Sequence, residues 1–296
     1  ILMTENMEDT PASSGTEAGE GDGLDHVDPT SIPSLPNVIR AGLASKKSPS
    51  CISSWTQMSL TLDGRDKITK VVQYASRFLG WYFESIHVGN PTAASTARGI
   101  SAAFASGRKT YRLGRWLTEY VKIRGVLEKA KGRLGIDVVL KVGRYAGLAG
   151  FWISDNTALI MSAALIGPAA ARGRTKDADR LKLVQKRIQA WGMVSMLVSA
   201  MTGLALSVQG VVRHRMNLET DTGVGEGCER RRQVEAAKHF VLLLAVVKSI
   251  SDCASYGNNV GRKRITEGSQ CIFSLISAAT VIYNNFPDAP PSPQRP

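Results

Sequence analysis

From Ile188 to Val212 the chain runs for 25 residues without a charged side chain. About 20 predominantly apolar residues are enough to cross the hydrocarbon core of a bilayer, so this run makes lipid the expected solvent for part of the fold. It is studded with small residues, and Ser195, Ser199, Gly203 and Ser207 recur every four positions. Such an edge lets a second helix approach closely. Residues 145–171 form another long apolar stretch whose single charge is Asp155, and Gly143 and Gly147 give this span a similar edge. An apolar run from Phe240 to Val247 and a final uncharged stretch from Gly268 to Phe286 follow. The final stretch is long enough either to span or to lie buried. No strand-like alternation is sustained anywhere, so the expected fold is all-α. A mean hydropathy of −0.08 fits one to three membrane-embedded helices combined with amphipathic ones, and argues against a polytopic transporter.

Charge divides the chain. Residues 1–39 hold eight acids and no Lys or Arg, which leaves 37 bases against 17 acids in the remainder. A cationic body of this strength seeks an anionic partner: phospholipid headgroups, nucleic acid or an acidic protein. The uncharged run at 188–212 weighs against a soluble nucleic-acid binder. Residues 1–58, rich in Gly, Ser, Thr, Pro and acid, are expected to be a disordered tail, and residues 287–296 a short Pro-rich one. A helical membrane domain is expected to fill 59–286. The segment from Arg172 to Arg187 carries seven bases and two acids, which places it on the cytosolic side by the positive-inside tendency.

The clearest local signal follows Asp63, a candidate N-cap. Ile68, Val71, Val72, Ala75, Phe78, Leu79, Tyr82, Phe83 and Ile86, set at 100° per residue, share an arc of about 140°. Lys67, Lys70, Tyr74, Arg77 and Trp81 lie on the flank or the opposite side. This is a basic amphipathic helix. Its apolar face suits a core helix or an in-plane helix whose lysines meet headgroups. A small-residue stretch from Gly89 to Gly107 comes next. A second helical pattern then runs through Leu113, Trp116, Leu117, Tyr120, Ile123, Leu127, Ala130 and Leu134. Residues 108–133 contain nine bases and two acids. Arg108, Lys109, Arg112 and Arg115 join Lys67, Lys70 and Arg77 as candidate headgroup-binding bases. Asp155 is costly against lipid and is expected to face a bundle, pair with a cation such as Arg144, or line water. The adjacent Asn156 needs a partner too.

Cues for catalysis fail on spacing. In Gly107-Arg108-Lys109-Thr110 an Arg separates the glycine from the lysine, unlike a phosphate-binding loop, and the run Gly223–Gly227 follows no strand. No nucleophile–base motif appears. Cys51, Cys228, Cys253 and Cys271 are scattered, as are His26, His87, His214 and His239. The expected cofactor and metal content is therefore none, and the expected compartment is reducing. The acidic opening is unlike a secretory or mitochondrial leader.

Residues 64–77 (Gly64-Arg65-Asp66-Lys67 onward) resemble the opening helix of the peroxin-eleven family of peroxisomal membrane proteins. So does the block from Ser106 to Arg115, and the Asp155-Asn156 pair is a third match in family order. The resemblance covers 61–286. It implies residence in the membrane of a peroxisome or related microbody, and a role in elongating and dividing that organelle. It implies membrane remodelling by the helix at Asp66–Ile86, self-association into a homo-oligomer, and partners among the fission machinery and a membrane-protein import receptor. A small-metabolite channel, with Asp155 lining the pore, is the alternative. Both readings make the anionic phospholipid membrane the primary partner.

Overall fold

The computed structural model describes residues 34–47, 52–87, 89–166, 175–220, 228–261 and 264–288. Apart from one antiparallel bridge between Lys46 and Asp288, the regular structure among them is helical. Two short helices, α1 (Leu35–Ala44) and α2 (Ile52–Ser59), precede α3 (Leu62–Ser85), α4 (Pro91–Thr110), α5 (Arg115–Ala130) and α6 (Ile136–Ile166). The longer α7 (Thr175–Thr220) and α8 (Cys228–Val260) follow, and α9 (Glu267–Asn285) ends the series.

The helix boundaries have local causes. Thr61, not Asp63, caps α3: its hydroxyl accepts from the Gly64 N–H at 3.0 Å. Asn90 caps α4 through the Ala93 N–H, with Pro91 in the first turn, where the missing N–H costs nothing. The small-residue stretch at 89–107 is thus helix. Of the pattern through 113–134 only 115–130 is helix: Gly114 at φ 71°, a left-handed conformation, separates it from α4, and Lys131 at φ 46° ends it, which leaves Leu113 and Leu134 outside.

From α3 on, the helices lie side by side in the order α4, α3, α9, α8, α7, α6, α5, so the consecutive α4 and α5 stand at opposite ends of the row. The expected small-residue edge is used: a side chain added at Gly147 would strike the Ser195 carbonyl at 2.6 Å and the Ser199 N–H at 2.8 Å. Gly143 lies against Thr202 and Gly192 against Ser154, so α6 and α7 approach along their whole shared length. Ser207 and Ser249 continue the close contact between α7 and α8.

Two helices are long and apolar enough to cross a membrane, Asp179–Leu218 and Arg231–Val260. Only 28% and 22% of their apolar windows are buried inside the protein, unlike the core helix of a soluble fold. The stretch from Gly268 forms α9, which buries one face, with Gln270, Cys271, Ser274, Ser277 and Thr280 inward, and exposes Ile272 and Ile276. The apolar run from 145 forms the C-terminal two-thirds of α6 up to Ile166; residues 167–174, including Arg172, lie outside the described residues.

Order begins earlier than the composition implied, which corrects the boundary at 58. In α1, Val38 is fully buried and Gly42 packs on the ring of Phe240, while the Tyr283 hydroxyl donates to the Gly42 carbonyl. These two short helices gain their order from tertiary contacts. The tail expected from 287 is likewise held at its start, where the Lys47 N–H donates to the Pro287 carbonyl at 3.0 Å. Residues 1–33 and 289–296 and the glycine run at 223–227 lie outside the described residues.

Candidate functional site

The interior of this bundle is polar. Among the described residues, fully buried Ser, Thr, Asn, Gln and charged side chains outnumber fully buried apolar ones, while dozens of large apolar side chains are exposed. Helix α3 follows the same rule. Its buried positions are Gly64, Asp66, Lys70, Ser76 and Gly80, and Leu79, Tyr82 and Ile86 face outward.

Asp66 is the hub. Its side chain is 0% exposed and accepts from the Arg108 Nε at 3.1 Å and the Arg112 Nε at 2.9 Å, with the Lys67 Nζ at 3.0 Å. Burial pushes its pKa up, but Lys67, Arg112 and Arg108 outweigh that and hold the carboxyl far below the usual range. Arg112 reaches on to Asp155 at 3.3 Å and lies 5.1 Å from the Trp152 ring centroid. Arg108 donates to the Gln73 amide oxygen at 2.6 Å. Asn156, with its amide turned to satisfy both partners, donates to the Arg112 carbonyl and accepts from the Gly114 N–H, each at 3.2 Å. Arg115 pairs with Asp63 and stacks on Trp152. The three segments that carried the family resemblance, 64–77, 106–115 and Asp155-Asn156, therefore converge on one charge cluster.

Two further nodes lie along the same stripe of α3. Lys70 donates to the Ser277 hydroxyl at 3.2 Å; Ser277 donates to Asp252 at 2.6 Å, and Asp252 pairs with Lys248 at 2.7 Å. Burial, partly opposed by Asp252, lowers the Lys70 pKa to about 7. At the other end Glu267 accepts from Arg98 at 2.5 and 3.0 Å and from Arg77 at 2.6 Å, and Arg98 also grips Glu84. The Arg98 hydrogen bonds, aided by Arg77 against the cost of burial, set Glu267 at about 2.

This placement corrects the expected headgroup set. Lys67, Lys70, Arg77, Arg108, Arg112 and Arg115 are committed to internal carboxylates and hydroxyls, because the polar face of α3 points into the bundle. Lys109 is half-buried and forms no ion pair with the described residues. Of the expected apolar set, Leu79 and Tyr82 are exposed, and Ile68, Val71, Val72, Ala75, Phe78 and Phe83 are half-buried. Asp155 pairs with Arg112, not Arg144; Arg144 lies over Gly203. Sequence reading missed Asp66, Gln73, Arg98 and Glu267 as partners. The signal was present: Asp66, Lys70, Gln73, Arg77, Gly80 and Glu84 recur at steps of three and four, opposite the apolar arc. His214 and His239, isolated in sequence, stack with centroids 5.4 Å apart.

Charges turned inward, apolar side chains turned outward and two unburied apolar helices define an α-helical integral membrane protein. The family model for Peroxisomal biogenesis factor 11 (PEX11) matches residues 52–286, and the chain belongs to that family. It is a peroxisomal membrane protein that serves in peroxisome biogenesis. Among curated relatives, a Peroxisomal membrane protein 11 homolog of Dictyostelium discoideum is 29% identical over 110 residues, 36% of this chain. The matched stretch spans 41% of that relative's length. No solved structure matches the chain.

Replacing Asp66 with Asn leaves Arg108 buried without a countercharge and Arg112 with Asp155 alone. The change should destabilise the purified protein by about 3–5 kcal/mol, read from denaturation in detergent. The Glu267 node gives a pH signature. A depressed carboxylate contributes stability that is complete above its ordinary pKa of 4.5 and is lost as pH falls towards 2. Glu267→Gln should therefore melt below wild type at neutral pH, and the gap should narrow as pH drops through that window.

Proposed function

We propose that the protein remodels and elongates the peroxisomal membrane, with α3 lying in the bilayer interface and promoting fission and proliferation of the organelle. The observation that carries this reading is the polarity of α3: its polar stripe is locked inward by ion pairs, which turns Leu79, Tyr82 and Ile86 towards the surroundings. Phe78 and Phe83 flank that exposed line, and Ile68, Val71, Val72 and Ala75 continue it towards the helix start. A helix seated at the level of the headgroups expands one leaflet relative to the other, and the resulting area mismatch favours curvature.

Family membership supports the organelle and its biogenesis. Self-association, recruitment of fission machinery and delivery by a membrane-protein import receptor follow from the resemblance as parts of the same proposal. The channel alternative has less support, since Asp155, its expected pore-lining group, is taken up by Arg112.

The test uses the full chain reconstituted in anionic vesicles and imaged by electron cryomicroscopy. Leu79→Glu with Tyr82→Glu should reduce tubulation about tenfold or more, because two carboxylates cannot enter the acyl region, with the melting temperature unchanged. Wild-type tubulation by this variant contradicts the proposal.

A further inference from the structure

Away from α3 and its charge clusters, a groove of about 750 Å³ opens where α1 ends beside α7 and α8. Val234, Ala237, Val241 and Leu242 form its floor along α8, and Ala44 closes it from the end of α1. Leu242 also packs over Gly210, which joins this floor to α7. The rim carries both signs of charge, with Lys46, Lys238 and His214 on one hand and Asp288 on the other. Lys238 and Asp288 keep 58% and 79% of their side chains exposed, so their pairs with Glu235 and Lys46 leave each free to make a further contact. The Nδ1 of His214 lies 3.7 Å from Glu235, while its Nε2 is buried and has no hydrogen-bond partner among the described residues. The apolar helix within α7 ends at Leu218 and that within α8 starts at Arg231. His214, Val234 and Lys238 therefore stand at the edge of the hydrocarbon, and Val241 and Leu242 lead from there towards its interior.

We infer that this groove seats one phospholipid of the surrounding bilayer, with a zwitterionic headgroup that ends in a primary ammonium. Its volume lies in the range of sites that enclose small ligands. The mixed rim selects the headgroup. A purely anionic headgroup would gain Lys238 but face Asp288 and Glu235, whereas a phosphate joined to an ammonium meets Lys238 with one end and Asp288 with the other. A primary ammonium donates hydrogen bonds to the carboxylate; a quaternary one has none to give. With its Nδ1–H turned to Glu235, the neutral His214 ring also leaves Nε2 as an acceptor for that ammonium. The apolar floor selects a lipid over a peptide, whose backbone groups would go unpaired there, and takes one acyl chain. So placed, the lipid fills the gap between α1 and the α7–α8 pair. The seat is independent of any bending by α3.

Photolabelling of the full-length protein in phosphatidylcholine bilayers tests this. A trace of phosphatidylethanolamine or phosphatidylcholine carries a diazirine on one acyl chain, and mass spectrometry locates the adducts. Labelling at residues 234–242 should be about tenfold stronger with the ethanolamine lipid. Excess unlabelled phosphatidylethanolamine should compete, and phosphatidylinositol should not. Asp288→Asn should bring the two probes within about twofold of each other; Lys46 keeps its contact with the Phe286 carbonyl at 3.1 Å, so the clasp at the end of α1 holds. Lys238→Gln should weaken labelling by both. Ala237→Phe, which fills the groove, should abolish labelling at 234–242 while adducts on the exposed Val198 and Met201 of α7 persist and report an inserted, folded protein. Three results overturn the inference. They are equal labelling by the two probes, as lipid that merely surrounds the protein would give, displacement by phosphatidylinositol, and adducts on α7 with none at 234–242 in the wild type.

Discussion

A carboxylate with no access to water must be surrounded by cations, and Asp66 meets that requirement by drawing on both ends of the α4–α5 corner at once. Arg108 and Arg112 come to it from α4 and the following turn, and Arg112 carries the contact on to Asp155 in α6. Without that bridge the helices form an open row from α4 through α3, α9, α8 and α7 to α6 and α5. The Asp66–Arg112–Asp155 link joins the two ends of the row. A buried ion pair gains little net stability over a well-packed apolar one. Its role here is to fix which faces meet, since any other arrangement strands a charge.

From that constraint follows the inverted polarity of the whole bundle. Polar side chains at steps of three and four on α3 meet Arg108 and Arg112 at one end, Ser277 in the middle and Glu267 at the other. Serines repeat the pattern between α8 and α9, where Ser255 and Ser274 lie 2.9 Å apart. In water such an interior would surrender the hydrophobic term that drives folding. In a bilayer the argument reverses, because polar groups have nowhere to go but inward and apolar side chains lose nothing by facing acyl chains.

Much of this was legible in the sequence. The uncharged run at 188–212, the small residues that seat α6 on α7 and the amphipathic arc of α3 all rest on local spacing, which folding does not alter. The direction in which α3 points was not legible, because a periodic helix has two faces and its period does not say which one meets the protein. Lys70 and Arg108 read equally well as headgroup ligands until their partners, Ser277 and Asp66, are placed beside them from 207 and 42 residues away. Helix α1 escaped for another reason: ten residues give too short a period to read, and its anchor, Phe240, is far along the chain.

The central claim is that α3 keeps its polar stripe inside and offers its apolar stripe to lipid. Spin labels placed singly at residues 73, 76, 79, 82 and 86, in a cysteine-free background reconstituted in bilayers, test it directly. Collision with dissolved oxygen, which concentrates in lipid, and with a water-soluble nickel chelate separates the two environments. The account predicts high oxygen and low nickel accessibility at Leu79, Tyr82 and Ile86, and low accessibility to both at Gln73 and Ser76. Nickel reaching Leu79 and Tyr82 as freely as it reaches a surface helix, or oxygen peaking at Gln73 and Ser76, would contradict it.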